Sequence, residues 1–89
     1  MTVEFTGKGW EDCCYWLEND PKKAARIREL IKECLRTPFT GTGKPEALKF
    51  ALKGFWSRRI DDEHRLVYAV SGSGNARTIS IVQCRFHYG

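Results

Sequence analysis

The order of apolar and polar residues along the chain predicts a short strand, two helices and then a series of strands. Residues 2–6 predict the first strand. Four apolar side chains then recur at the helical spacing i, i+3, i+4, i+7, and they are Trp10, Cys13, Cys14 and Leu17. Asp20 and Pro21 predict the start of a second helix, because aspartate is a good N-cap and proline fits the first turn. Thr37-Pro38 ends that helix at about Arg36.

The second predicted helix has one apolar and one charged face. The apolar positions are Ala24, Ile27, Ile31, Cys34 and Leu35. The charged positions are Lys22, Lys23, Arg26, Glu29, Lys32, Glu33 and Arg36. We interpret the charged face as solvated, because a surface helix normally turns its charged side chains to water.

The second half of the chain predicts strands. A short strand is expected near Leu48–Leu52, a hairpin over residues 55–70, and a last strand over Thr78–Tyr88. The order of one strand, two helices and an antiparallel meander predicts a single α+β domain over residues 1–89. Both N-terminal helices would pack on one face of an antiparallel sheet and leave the other face open.

The loop between helices and strands, residues 38–46, is rich in glycine and proline and invites comparison with a phosphate-binding loop. That motif would need glycine at position 38 and serine or threonine at position 45, and the chain has Pro38 and Pro45. We therefore exclude nucleoside-triphosphate binding at this loop.

The hairpin carries the most unusual pairing that the sequence predicts. Closing it over the turn Asp61-Asp62-Glu63 places Arg59 opposite Arg65 and Trp56 opposite Tyr68. Like charges directly opposite on one sheet face destabilise the pair, so two guanidiniums there indicate an anion such as phosphate. The alternative is that both arginines form a surface ion network with the acidic turn, which contributes little stability.

Strand alternation sorts the hairpin residues into two faces. Leu66, Tyr68, Val70 and Trp56 form the predicted core side. The other side holds Arg65, Val67, Ala69, Ser57 and Arg59, and it predicts a shallow trough with the two arginines at one end. The loop with Glu46 and Lys49 could fold over that trough. We interpret His64, beside the turn, as structural.

Composition narrows the function classes only slightly. The 89 residues carry a net charge of +4, which is compatible with nucleic acid or an acidic protein partner. The start of the chain lacks a secretory signal, and no apolar run approaches the ~18 residues of a membrane span. The four cysteines have no zinc-like spacing, so we interpret them as reduced, small apolar residues of a cytoplasmic protein.

Cleavage of RNA without a metal needs a base for the ribose 2′-hydroxyl, a cation for the phosphate and an acid for the leaving oxygen. Glu46, Arg65 and His87 are candidates for those three roles. In a regular strand, His87 and Tyr88 would point to opposite faces, so both reach the trough only if the strand end is frayed or bulged. The residues by themselves indicate a phosphate-binding protein and do not indicate a particular activity.

Long stretches of the sequence resemble a known family. They are Arg36-Thr37-Pro38-Phe39, Gly43-Lys44-Pro45-Glu46, Gly54-Phe55-Trp56-Ser57-Arg58-Arg59-Ile60, Glu63-His64-Arg65-Leu66-Val67-Tyr68-Ala69-Val70 and Cys84-Arg85-Phe86-His87-Tyr88. The chain resembles the YoeB (Txe) toxins of the RelE/ParE superfamily. That resemblance implies the RelE-like, microbial RNase-like fold and the activity of a type II toxin that cleaves mRNA in the ribosomal A site and inhibits translation.

The resemblance also implies roles for individual residues. Glu46 would be the general base, Arg65 the stabiliser of the phosphate transition state and His87 the general acid. Three further residues would bind the RNA, namely Lys49, Arg59 and Tyr88. The implied products are a 2′,3′-cyclic phosphate (or 3′-phosphate) and a 5′-hydroxyl, and no metal or cofactor is implied.

The implied partners are mRNA on the ribosome, a YefM-like antitoxin and a second copy of the chain. The alternative is a non-catalytic module of the same fold that binds RNA or an acidic protein. Gyrase poisoning, as in ParE relatives, is a third hypothesis, against which the set Glu46, Arg65 and His87 argues. Three departures from the family pattern are Ala47, where proline is usual, a longer connection over Ser71–Thr78, and Gly89 after Tyr88.

Overall fold

A computed structural model of the chain describes residues 1–86. The helices are α1 (Gly7–Asn19) and α2 (Pro21–Arg36). The strands are β1 (Thr2–Phe5), β2 (Glu46–Ala47), β3 (Trp56–Arg59), β4 (Arg65–Ser71) and β5 (Thr78–Gln83). Short 3₁₀ turns lie at Phe50–Leu52 and Gly74–Ala76.

The five strands form one sheet in the order β1-β5-β4-β3-β2. All neighbouring strands are antiparallel except β1 and β5, which pair in parallel from Thr2↔Thr78 to Phe5↔Ile81. The predicted α+β class with helices on a sheet is confirmed, and the sheet is mixed rather than wholly antiparallel. A parallel pair needs a long crossover, which here is the whole chain between the two strands.

The helix boundaries follow local capping. Thr6 caps α1 by accepting a hydrogen bond from the backbone N–H of Gly9 at 3.1 Å. Asp20 caps α2 by accepting one from the N–H of Lys23 at 3.3 Å, and Pro21 is the first helical residue. The predicted bounds of α2 are confirmed. They could be predicted because capping signals act over only a few residues.

The core lies between the helices and one face of the sheet. The buried cluster consists of Trp16, Ile27, Leu30, Cys34, Ile60, Leu66, Tyr68, Ile79, Ile81 and Cys84. The predicted core side of the hairpin is thereby confirmed at Leu66 and Tyr68.

Helix α1 is rotated relative to the predicted orientation, so that Cys13 packs against the core as predicted but Trp10 and Leu17 do not. Trp10 and Leu17 are 55% and 59% exposed, whereas Gly9, Asp12 and Trp16 are buried. Asp12 accepts a hydrogen bond from the N–H of Cys84 at 3.1 Å, and the indole N–H of Trp16 donates to the Cys84 carbonyl at 2.7 Å. These two hydrogen bonds fix the rotation of the helix about its axis. The face that packs on the sheet is therefore not the one predicted from the spacing of apolar residues.

Two strand predictions are wrong in extent. The strand expected near Leu48–Leu52 is the two-residue β2, followed by a 3₁₀ turn that Phe50 enters with a φ of +57°. The last strand ends at Gln83 and not at Tyr88, after an irregularity in its pairing with β4 between Val67 and Tyr68. Residues 87–89 lie outside the described part of the chain.

The four cysteines are free thiols. Burial raises the pKa of Cys13 and Cys34, and burial together with the charge of Asp12 raises the pKa of Cys84 to about 12. Residues 1–86 contain no cluster of potential metal ligands. Within the same residues, no helix is both long enough and apolar enough to cross a bilayer.

Candidate functional site

The hairpin has the predicted register. Arg59 pairs with Arg65 across β3 and β4, and Trp56 pairs with Tyr68. At the turn, the N–H of Ile60 donates to the carbonyl of His64 at 3.0 Å. Two arginines therefore stand directly opposite each other at one end of the sheet.

Glu46 lies on the same sheet face as this arginine pair. The register aligns Glu46 with Ser57, Ser57 with Val67 and Val67 with Gln83. Directly opposed residues share a face, and so do residues two apart along a strand. Strand spacings of about 4.8 Å and a rise of about 3.4 Å per residue then place the α-carbons of Glu46 and Arg65 roughly 12 Å apart. A substrate could lie between the two side chains.

The face is more closed than the predicted open trough. Ser57, Arg65 and Val67 are 3%, 8% and 1% exposed, whereas Glu46, Lys49 and Arg59 are exposed. Ser57 and Val67 belong to central strands. In the row of aligned residues across the sheet, the longer Glu46 and Gln83 lie on either side of them. The centre of this face is therefore closed to solvent, and the exposed candidate residues lie around it.

The Arg65 guanidinium is held by its own hairpin. Its Nη1 donates to the carbonyl oxygens of Asp61 at 2.7 Å and His64 at 3.1 Å. No other nitrogen of this group is hydrogen-bonded to a residue in the range 1–86. A fixed cation whose other donors are unused by residues 1–86 is suited to a phosphate, because a guanidinium can donate two parallel hydrogen bonds.

The alternative ion network between the arginines and the acidic turn is not formed within residues 1–86. Asp61 pairs instead with Lys23 of α2, at 2.6 Å. Its other carboxylate oxygen accepts from the N–H groups of Glu63 and His64 at 2.8 and 2.7 Å. Burial would raise the pKa of Asp61, but the hydrogen bonds from Lys23 and from these two amides lower it to about 2.

His64 has the structural role that the sequence predicted. Its Nδ1 accepts a hydrogen bond from the N–H of Phe86 at 2.7 Å, and its ring packs edge-on against Trp16 at 4.7 Å. The N–H of Arg65 also donates to the Phe86 carbonyl at 3.1 Å. The chain is thus fixed beside Arg65 at the residue that precedes His87.

The predicted roles of His87 and Tyr88 fall on residues outside the described range and stay predictions. By alternation, both residues could reach the predicted trough only from an irregular strand end, and the positions before His87 meet that condition. The strand has already ended, and Phe86 has a φ of +65°, so regular alternation stops before His87.

Arg58 is a central residue that the sequence reasoning missed. It is fully buried, and all five of its N–H groups donate. Nε binds the Tyr68 hydroxyl at 3.2 Å, and Nη1 binds Glu33 at 2.9 Å. The remaining donors bind the carbonyl oxygens of Thr37, Thr40 and Thr42. Alternation places Arg58 on the core side opposite Leu66, and a charge there signals a buried partner.

Arg58 organises the loop that leads to Glu46. Its three carbonyl contacts fix residues 37–42, and the next residue, Arg59, donates its N–H to the Gly43 carbonyl at 2.6 Å. Gly43 has a φ of +87°, and a Cβ there would lie 3.1 Å from the Arg59 carbonyl oxygen. The glycine-rich loop therefore serves to approach strand β3 closely, not to hold a nucleotide.

The charged face of α2 is only partly solvated, which corrects its interpretation. Glu33 accepts from Arg58 and from Thr42, and Arg26 donates to the Arg59 carbonyl at 3.3 Å. Burial would raise the pKa of Glu33, but the Thr42 hydrogen bonds and the Arg58 charge lower it below its ordinary value. Lys23 is also engaged, at Asp61.

Sequence comparison agrees with this geometry. The profile described as "YoeB-like toxin of bacterial type II toxin-antitoxin system" matches residues 5–88. Toxin YoeB of Escherichia coli (strain K12) is 50% identical over 88 residues, which cover 99% of this chain and 100% of that protein. The chain belongs to the YoeB toxin family. It is a toxin of the type II toxin–antitoxin class.

Solved YoeB structures share the fold. The YoeB/ParE toxin from Agrobacterium tumefaciens superposes with a TM-score of 0.95 at 48% identity, covering 99% of this chain and 100% of that one. YoeB from Staphylococcus aureus superposes at 42% identity in two forms. One is a heterotetrameric YoeB–YefM complex, with a TM-score of 0.86 and coverages of 97% and 95%. The other is a YoeB dimer, with a TM-score of 0.88 and coverages of 99% and 98%.

Proposed function

We propose that this protein is a ribosome-dependent mRNA endoribonuclease that cleaves in the A site and inhibits translation. The observation that carries the proposal is the placement of Glu46 on the same sheet face as the arginine pair, in a chain of the YoeB family. Arg65, pre-oriented by two carbonyl groups, supplies the fixed positive charge that a pentacovalent phosphate requires.

The proposed reaction divides among three residues. Glu46 takes the proton of the ribose 2′-hydroxyl, and the 2′-oxygen attacks the adjacent phosphorus. Arg65 stabilises the negative charge that develops on the phosphate oxygens. The bond to the 5′-oxygen breaks, and His87 donates a proton to that leaving oxygen. The products are a 2′,3′-cyclic phosphate and a 5′-hydroxyl, and DNA is not cut because it lacks the 2′-hydroxyl.

Lys49, Arg59 and Tyr88 complete the proposed site as RNA-binding residues. Lys49 and Arg59 are exposed cations beside Glu46 and Arg65, as contacts to flanking phosphates require. The proposed partners are a YefM-like antitoxin and a second copy of the chain, in line with the S. aureus YoeB–YefM complex and YoeB dimer. Action on ribosomes implies a cytoplasmic location.

The test is expression of the protein without its antitoxin, followed by mapping of mRNA 5′ ends. We expect growth arrest and new 5′-hydroxyl ends within translated codons. Glu46→Gln, Arg65→Ala and His87→Gln should each lower kcat on programmed ribosomes by ~10²–10⁴-fold, the usual contribution of one acid–base or charge-stabilising group. Lys22→Ala, which removes a charge from the exposed part of α2, is the matched control and should cleave normally.

Two outcomes would contradict the proposal. Wild-type protein that leaves all mRNA intact would exclude the activity. Ribosome binding without any new 5′ end would support the alternative, a non-catalytic binding module of the same fold. A 2′-deoxy nucleotide at the cleaved position must also block the reaction, since the attacking group is then absent.

A further inference from the structure

Phe50 is displayed to solvent to a degree that is unusual for an aromatic residue. Its side chain is 93% exposed, the most of any large apolar residue among positions 1–86. The other exposed aromatic rings there have aromatic neighbours. Phe39 contacts Trp56 with ring centres 4.8 Å apart, Trp10 contacts Phe5 at 5.7 Å, and Phe86 contacts His64 at 5.7 Å. Within the described residues, no aromatic ring contacts Phe50.

The backbone conformation of Phe50 is also unusual. Leu48 is 6% exposed, and alternation would place the side chain two residues later on the same side of an extended chain. Phe50 instead adopts a φ of +57°, which bulky residues seldom do, and the extended course of the chain ends there. The turn is then closed by hydrogen bonds from Leu52 N–H to the Lys49 carbonyl and from Lys53 N–H to the Phe50 carbonyl, at 3.2 and 3.0 Å.

Phe50 borders the candidate site. Phe50 lines a cavity of about 420 Å³ whose wall is formed by residues 46–52, and Glu46 and Lys49 belong to the same wall. A flat apolar ring next to a cation and a carboxylate matches one ligand chemistry well, that of single-stranded nucleic acid. Bases stack on exposed aromatic rings, while cations contact the backbone phosphates.

We propose that Phe50 is a nucleobase-stacking residue of the RNA site. Its ring receives a base adjacent to the scissile bond, and Lys49 contacts the backbone of the same nucleotide segment. The assignment of RNA as the ligand rests on the proposed function. Stacking uses the face common to all bases, so Phe50 contributes binding and positioning with only weak base preference.

The first test compares three variants on programmed ribosomes. Phe50→Leu keeps an apolar side chain of similar size and removes the π face, so KM should rise roughly 5–100-fold while kcat changes much less. Phe50→Trp restores a stacking face and should stay near wild type. Phe50→Asn relieves the backbone, since asparagine tolerates this conformation, and should lose binding while the fold gains stability. Leu17→Ala, an exposed apolar residue of α1, is the control.

A second test does not depend on cleavage. Wild-type protein is titrated with a hexaribonucleotide whose 2′-hydroxyl groups are methylated, and the Phe50 ring protons are followed by NMR. Stacking predicts a saturable upfield shift of these protons that tracks changes at Lys49. If wild-type protein does not cut mRNA, the proposed function fails, and this shift still decides the role of Phe50.

Three results would overturn the inference. The first is a KM for Phe50→Leu equal to that of wild type. The second is the absence of a ring-proton shift at any RNA concentration in the titration. The third is a Phe50→Leu protein that binds RNA normally but no longer binds its antitoxin, which would make the ring a protein contact.

Discussion

Arg58 shows how one buried charge can define a loop. Its guanidinium joins helix α2 through Glu33, strand β4 through Tyr68 and three backbone carbonyls of the loop, so every N–H has an acceptor. Burial raises the pKa of Tyr68 to about 12, and its hydroxyl stays protonated and donates to the Pro38 carbonyl at 2.6 Å. The chain that leads to Glu46 is therefore held from inside the protein.

This arrangement predicts that lysine cannot replace Arg58. Lysine keeps the charge but has one nitrogen in place of a planar fork, so at least two buried acceptors would lose their donor. We expect Arg58→Lys to lower the free energy of unfolding by about 2–4 kcal/mol, since each unsatisfied buried polar group costs ~1–3 kcal/mol. Urea denaturation measures the change.

Arg77→Lys is the matched control for this experiment. Arg77 donates from Nη1 to the Leu35 and Arg36 carbonyls, while its buried Nε has no hydrogen-bond partner among residues 1–86. Arg77 makes fewer hydrogen bonds than Arg58, so Arg77→Lys should lower the free energy of unfolding by less. Equal losses for the two variants would mean that the five-bond arrangement of Arg58 adds nothing.

At the scale of elements, the acidic turn of the β3–β4 hairpin is tied to helix α2 through Asp61. Its carboxylate binds Lys23 and two amides of the turn, and the carbonyl of the same residue holds Arg65. The turn therefore has two functions. It closes the hairpin, and it positions the cation of the candidate site.

The turn predicts a specific dependence of stability on pH. The pKa of Asp61 is lowered from 3.8 to about 2 in the folded protein, so its contribution is complete above about pH 4 and is lost as the pH falls towards 2. Asp61→Asn should lower stability at pH 7, by ~1 kcal/mol for a partly exposed pair. It should also weaken the acid dependence of the melting temperature.

Asp62→Asn is the control for this change, because Asp62 is exposed. Thermal melts of the three proteins between pH 2 and 7 make the comparison. If the Asp61→Asn protein kept the whole wild-type loss of stability below pH 4, Asp61 would not be the titrating group.

The elements also show which parts of the fold are determined by residues close together in the sequence. The bounds of α2 depend on Asp20 and Pro21, and the hairpin register depends on a three-residue turn, so both were predicted. The exposed face of α1 was not, because its rotation is fixed by Cys84, 72 residues beyond Asp12. Arg58 was missed for a similar reason. Its acceptor Glu33 lies 25 residues away in what looks like a solvated helix face.

At the scale of the whole molecule, the residues that stabilise the fold and the candidate site residues belong to opposite faces of the sheet. The helices cover one face with the apolar core, and the candidate residues Glu46, Arg59 and Arg65 belong to the other. Strand alternation predicted this division and the arginine pair. The burial of Ser57 and Val67 at the centre of this face could not be predicted, because alternation assigns a residue to a face and does not determine its exposure.

The net charge of +4 and the cations on the site face predict that binding to ribosomes depends on salt. Phosphate contacts release counterions, at ~0.7 per contact for single strands, so the affinity should fall steadily as KCl is raised from 50 to 200 mM. Arg59→Gln should reduce the slope of log K against log salt by about that amount. A slope of zero for the wild-type protein would contradict phosphate-directed binding.

The position of β5 in the sheet has a consequence for the synthesis of the protein. This strand lies between β1 and β4, although it is the last of the five to leave the ribosome. Until it emerges, β1 has no neighbour in the sheet, and β4 presents an open edge. Domains complete their folding only when their late-synthesised parts are available. A nascent chain therefore lacks a finished sheet until β5 has left the ribosome, and synthesis that stops before β5 leaves fragments with unpaired edges.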